Sequence, residues 1–170
     1  HLVISSVPRA VADAHNAVQI AVGNSKSVLR SDGRVICWDA VQYRGDSSAP
    51  YVLSVPQEVS GLGTVREFGA CEKTWHAMLN DNSVVTWNGF LYQAPVSGWV
   101  LESAPSSISE LNDAKALAVG ADHFVTLLAD GSISSKGMNN YGQLGRTVTV
   151  AGFFPVPGGA NVRAVAAGNN

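Results

Sequence analysis

At 170 residues and 17.8 kDa, with 46% hydrophobic and 14% charged residues, the chain is long enough for a sizeable core and is not of disordered composition. A net charge of −2 and a pI near 6.1 exclude a sequence-independent phosphate-binding surface, which needs clustered Lys and Arg, so no nucleic-acid partner is expected. No apolar run approaches the roughly 18 residues of a membrane span. So little charge points to a molecule that covers much of its area by packing, or by contact with more of itself.

In chain order the predicted elements are short strands. Residues 2–7 read as an outer strand. Residues 18–22 alternate in the period-2 manner of a crowded inner strand that ends at Gly23. Residues 27–30 and 34–38 form a pair, closed by Asp32-Gly33 as a tight turn in which both central residues need positive φ. A polar crossover at 45–48 leads to a fourth strand at 51–55, stopped by Pro56, which cannot donate to a ladder. The same order returns with inner strands at 65–68 and 116–119 and outer strands at 99–103 and 150–154. Residues 162–168 read as one more inner strand. Helix is confined to one short turn within 107–113.

The order returns at a fixed period. Asp32-Gly33, Asp81-Asn82 and Asp130-Gly131 are spaced 49 residues apart, as are Trp38 and Trp87, whose next place in step is Lys136. Tyr43, Tyr92 and Tyr141 keep the same interval, and Pro8, Pro56, Pro105 and Pro155 follow at 48, 49 and 50. Repetition at this length means an array, a solenoid or a propeller. Four antiparallel strands with one long crossover describe a propeller blade. The fold class is therefore all-β: antiparallel four-stranded β-propeller blades, about three complete repeats of ~49 residues with partial repeats at both ends. The divisions fall at 1–7 (outer strand of a partial repeat), 8–55, 56–104, 105–154 and 155–170. A closed propeller has about four to eight blades, so the chain is expected to belong to a larger or multi-chain propeller, a homodimer being one way to close the ring.

Residues 137–145, Gly-Met-Asn-Asn-Tyr-Gly-Gln-Leu-Gly, resemble the G-x-N-x-x-G-Q-L-G signature of the regulator of chromosome condensation repeat family. Ala118-Val119-Gly120, His123 and Asp130-Gly131 follow that family's order in the third repeat, as do Ile20-Ala21-Val22-Gly23, Asp32-Gly33 and Trp38-Asp39 in the first. Residues 43–48, Tyr-Arg-Gly-Asp-Ser-Ser, are similar to the Y-G-G-D-S-S variant of bacterial tandem arrays related to the family. The second repeat keeps Trp87 and Tyr92 and lacks the G-Q-L-G. The resemblance implies propeller blades. Function does not come with it, because one propeller fold serves many activities. The best-known member activates a small GTPase through an extra loop and binds histones; no inserted segment here has the length of such a loop.

The residues offer no catalytic constellation: no nucleophile elbow, Walker loop, HExxH or paired carboxylates at matched repeat places. No enzyme activity, cofactor or metal is expected. Cys37 and Cys71 stand at non-equivalent places and read as buried or half-buried thiols. His123 reads as a packing or hydrogen-bonding residue, and Arg44-Gly45-Asp46 as part of a repeat loop. Trp38 and Trp87 are expected in the core between blades. The binding candidates are Tyr43, Arg44, Tyr92 and Tyr141 on equivalent loops, Lys136 where an apolar residue is due, and Trp99 opening an outer strand. The function these support is a non-catalytic protein-interaction scaffold whose partner is another protein or additional blades from the same or another chain. The competing classes are a secreted bacterial adhesin, lectin or toxin component, and a guanine-nucleotide exchange factor for a small GTPase. A secreted or cell-surface bacterial location is favoured over a cytoplasmic one.

Overall fold

A computed structural model describes residues 10–22, 26–38, 40–41, 52–53, 56–71, 74–88, 91–94, 98–101, 104–147 and 152–168. The described chain is all-β, and its one helical turn is a 3-10 turn at Ser109–Leu111, inside the stretch where the sequence suggested one. Three four-stranded antiparallel sheets follow one another. The first joins β1 (Ala17–Val22), β2 (Lys26–Arg30) and β3 (Val35–Trp38) to Gln57–Glu58. Its connection passes through a two-stranded hairpin of β4 (Ala40–Val41) and β5 (Val52–Leu53), which makes Gln57–Glu58 the sixth strand, β6. The second sheet joins β7 (Val65–Ala70), β8 (Thr74–Leu79) and β9 (Val84–Asn88) to β12 (Ser106–Ser107), again past a hairpin, of β10 (Leu91–Ala94) and β11 (Gly98–Leu101). The third is β13 (Ala114–Val119), β14 (His123–Leu128), β15 (Ile133–Gly137) and β16 (Phe154–Pro155).

Two expectations about the outer strands are corrected here. The apolar runs at 51–55 and 99–103 do contain strands, but these pair inside the excursion hairpins, Val52 with Val41 and Val100 with Tyr92. The fourth strand of the first two blades comes after the proline. In the third blade Pro155 itself lies in β16 opposite Ser134. An edge strand tolerates a residue without N–H when that side faces away from the ladder. A third correction concerns 162–168. Val162 starts where an inner strand should, but no described residue forms a ladder with this segment, and it is not a strand.

The turns depart from expectation in an informative way. Each hairpin closes with three residues: Gly33 N–H donates to Arg30 O at 2.9 Å, and Arg30 N–H to Arg34 O at 2.9 Å. Only the last loop residue has positive φ: Gly33 (82°), Asn82 (68°) and Gly131 (81°). The aspartate before it stays on the ordinary side because its Oδ1 accepts the N–H two residues on, from Arg34 (3.2 Å), Ser83 (3.0 Å) and Ser132 (2.8 Å). That side-chain bond selects a type I turn followed by one left-handed residue, the three-residue hairpin with a bulge.

The cores lie between sheets. Between the first and second, Leu29, Val35, Val65, Phe68, Trp75 and Trp87 are buried together; Phe68 stacks on Trp75 with centroids 6.0 Å apart, and Trp75 on Trp87 at 6.3 Å. Between the second and third, Met78, Val84, Leu111, Leu117 and Phe124 are buried with Phe153 against them. Trp87 thus takes the inter-blade place expected of it, while Trp38 is only half-buried. Cys37 and Cys71 are both buried thiols, and burial pushes Cys71 up to about 11. Backbone bonds stitch each hairpin to the segment that begins the next repeat: Val65 N–H to Gly33 O (3.0 Å), Ala114 N–H to Asn82 O (3.1 Å) and Val162 N–H to Gly131 O (3.0 Å).

Side chains add a second stitch. Gln19 Nε2 donates to Phe68 O at 2.6 Å and its Oε1 accepts Phe68 N–H at 3.2 Å, so one carboxamide completes a miniature ladder across the joint. One repeat on, Glu67 Oε2 accepts Leu117 N–H at 3.3 Å. Both residues follow a bulge between Ala17 and Gln19 or Val65 and Glu67, and bulges re-aim the side chain beside them. The third repeat has the same bulge, followed by Ala116, which has nothing to offer.

Candidate protein-interaction face

The connection from third to fourth strand leaves every blade at the same edge. In the first blade it is the β4–β5 hairpin, in the second β10–β11, and in the third a loop beginning at Met138. Strands β4 and β10 lie beside one another. Five of the six binding candidates belong to these connections, and Lys136 sits next to one, near the end of β15. Tyr43 and Arg44 fall outside the described residues. Tyr92 and Trp99 stand on facing strands of one hairpin at successive register places, Tyr92 opposite Val100 and Trp99 opposite Gln93, so the alternation of a strand assigns them to different faces of it. Lys136 and Tyr141 stand in the third blade, separated by the bend of its loop.

The loop at 138–147 shows why the signature has its residues. Asn139 Oδ1 accepts Leu144 N–H at 2.9 Å, and its Nδ2 donates to Arg146 O at 2.8 Å, so one side chain ties the two ends of the loop. Leu144 is buried, and Ser135 Oγ donates to its carbonyl at 2.9 Å. Gly142, at φ 81°, takes a backbone conformation that a Cβ would strain. The tied loop holds Tyr141 out at 80% exposure, with Met138 also exposed. An aromatic ring held out on a fixed loop is the kind of anchor that interfaces use.

Beneath the face runs a column of rings that sequence reasoning missed. His76 stacks on Phe124 at 4.0 Å, Phe124 meets Phe153 edge-on at 4.9 Å, and Lys136 Nζ lies 4.9 Å from the Phe153 centroid. Lys136 is exposed, as the break in the Trp38–Trp87 pattern suggested, and its cation caps aromatic surface. His76 is buried, and it stands opposite Thr86 on β9 and Gly69 on β7. Burial, helped by the Lys136 charge, lowers its pKa to about 3. Nothing in its sequence neighbourhood marked it, because Thr74, not His76, occupies the repeat place of His123.

The depressed histidine has a consequence for stability. The unfolded chain protonates His76 near 6.5 and the folded chain only near 3, so the unfolded state binds the extra proton across that window. Stability is fully present above about pH 6.5 and is expected to fall on acidification, with a limiting slope of about 1.4 kcal/mol per pH unit. Urea unfolding followed at several pH values, with and without His76→Phe, measures that slope. The variant should lose it.

Among the described residues, no three His, Cys, Asp or Glu side chains come together to hold a metal ion, and no helix is long and apolar enough to cross a membrane. A cleft of about 370 Å³ lies on the opposite, hairpin edge against Asp32, Arg34, Glu58 and Thr64. Its charges are already paired, Arg34 with Glu58 at 3.2 Å and Arg30 with Asp32 at 2.9 Å.

No family model matches the sequence, and no curated protein matches it. Solved structures do match in fold. Human WBSCR16 aligns with a TM-score of 0.72 at 23% identity, over 99% of this chain and 47% of its own. Prp20p from Saccharomyces cerevisiae, described with its binding to Gsp1p and histones, aligns at 0.68 and 21% identity over 91% of this chain and 41% of its own. Yeast RCC1 (Prp20), solved with Kap60 bound, aligns at 0.67 and 20% identity over 91% and 40%. The chain spans less than half the length of each of these structures.

Proposed function

On the premise that these are blades with the fold of RCC1, the β-propeller of the chromosome condensation regulator type, we propose that the chain is a non-catalytic protein-interaction scaffold, forming part of a larger or multi-chain propeller. The partner is a protein, met on the face built by the third-to-fourth-strand connections, with Tyr43, Arg44, Tyr92, Trp99, Lys136 and Tyr141 as its contacts. The observation that carries this reading is Tyr141: its ring is in solvent, while Asn139 and Leu144 fix the loop that holds it there. Prp20p, which shares the fold, binds Gsp1p and histones and is met by Kap60, which supports a scaffold over a catalyst.

A photo-crosslinking amino acid placed at Tyr141, and separately at Ser60 on the hairpin edge, tests the face in lysate of the source cells. The expected result is a discrete protein adduct at 141 about tenfold above that at 60, lost with Met138→Ser and Lys136→Glu on the same chain. Equal labelling at both places would sink the reading. Release of labelled GDP from a panel of small GTPases is expected to stay at its intrinsic rate; acceleration would replace the scaffold with an exchange factor.

A further inference from the structure

Ser27, His76 and Val125 hold one place in the three blades, spaced 49 residues apart. They stand opposite Cys37, Thr86 and Ser135 on one side and opposite Ala21, Gly69 and Ala118 on the other. Ser27 and His76 are buried at 1% and 5% exposure. Both face the next blade: Cys37, opposite Ser27, belongs to the core between the first and second sheets, and His76 stacks on Phe124 of the third. One joint therefore carries a hydroxyl where the other carries an imidazole.

The closed joint gives that imidazole no partner for a second proton. Nε2 meets the Thr74 hydroxyl at 3.2 Å, while Nδ1 has no hydrogen-bond partner among the described residues. β7 and β9 set Gly69 and Thr86 opposite His76, β13 brings Val119 against Gly69, β14 stacks Phe124 on the ring, and β15 contributes the Lys136 cation, which repels a second charge. The other charged groups of this joint are engaged. Glu67 accepts Leu117 N–H, Arg66 reaches Asn82 Oδ1, Met78 Sδ and the carbonyls of Ala114 and Lys115, and the Asp122 charge acts on the Cys71 thiol. The bond from Ala114 N–H to Asn82 O and the Arg66 contacts hold the hairpin end of the joint. His76 sits toward the loop end, where Cys71 Sγ meets His123 O at 3.6 Å.

We propose that the joint between the second and third blades is an acid-operated hinge: protonation of His76 parts its loop end, bares Phe124 and Phe153, and leaves the joint between the first and second blades shut. Opening gives the charged ring water and distance from Lys136. The closed joint holds His76 down to about 3, and exposure returns it to its ordinary 6.5. Below that pH each unit of acid multiplies the open fraction about tenfold. Ser27 does not ionise in this range, so acid does not favour opening of the first joint through it. The event is local and, unlike global unfolding, keeps the first two blades packed.

Each joint contains a buried thiol that reports opening, Cys37 in the first and Cys71 in the second. Labelling by dithiodipyridine, which still reacts in acid, is followed at both thiols of the full chain between about pH 7.5 and about pH 4.5. Each rate is divided by that of the urea-unfolded chain at the same pH. The corrected Cys71 rate is expected to rise roughly fiftyfold or more, and the Cys37 rate by less than about threefold. His76→Gln, polar but without a charge to gain, should hold the Cys71 rate within about threefold. Should that variant not fold, His76→Phe takes its place in the stack and in the test. A Cys71 rate that stays flat overturns the proposal, and so does equal acceleration at both thiols, which is whole-chain unfolding. A pH response that survives the loss of His76 overturns it too, since His123 or a carboxylate would then be its source.

Discussion

Trp75→Ala is expected to cost about 3–5 kcal/mol of folding stability, and to lower the thermal midpoint by roughly 10–15 °C in a chain of this size. Trp75 is almost fully buried and is the middle ring of the stack from Phe68 to Trp87. Truncating it leaves a cavity whose walls come from two different blades, so neither sheet can close the gap without shifting the other. Trp38→Ala is the control. That ring is half-buried and stands opposite Lys26 at the end of its hairpin, and its loss should cost about 1 kcal/mol. Calorimetry on both variants checks the contrast. Equal losses would mean that the joint between blades does not rest on the Trp75 stack.

Gly33→Ala adds a single methyl group and should still cost about 2–4 kcal/mol. Left-handed backbone accounts for roughly 1–2 kcal/mol of that and overpacking for the rest. Gly33 has φ 82°, and a Cβ there would fall inside the Thr64 methyl and close on the Val65 backbone. At the equivalent Gly131, also near φ 81°, the nearest atoms stand 3.4 Å away, so Gly131→Ala should cost only the conformational part. Asn82 already fills the middle copy at φ 68°, which makes Gly131→Asn nearly neutral. Denaturant melts of the three variants separate conformation from crowding.

The period of the fold could be read from the sequence, because hairpins fix their own turn residues: Asp32-Gly33, Asp81-Asn82 and Asp130-Gly131 all close loops in the same way. Their geometry could not be read so easily, since a two-residue and a three-residue turn share the same dipeptide and differ in what the aspartate side chain bonds. The outer strands were misplaced for a related reason. Alternation at 51–55 announces a strand but does not name its partner, and β5 finds Ala40 and Val41 before it can reach β3. The stitches at Gln19 and Glu67 left only a weak mark, two polar residues 48 apart on apolar strands, since a bulge has no residue signature of its own. Of the candidate face, the loop of Tyr141 was marked by the 49-residue spacing of the tyrosines, whereas the ring column from His76 to Lys136 depends on two sheets meeting and lies beyond any local pattern.

The grips between blades all point one way along the chain, from Gln19 forward to Phe68 and from Glu67 forward to Leu117. In each such bond the earlier blade supplies the side chain and the later one the main chain. Such an array has a direction. Losing a later blade leaves the earlier grips intact, while losing an earlier one releases its successor. With Ala116 as the last link, the hold on Val165 is missing altogether. The joint between the third blade and residues 162–168 is therefore expected to open before the two joints that precede it.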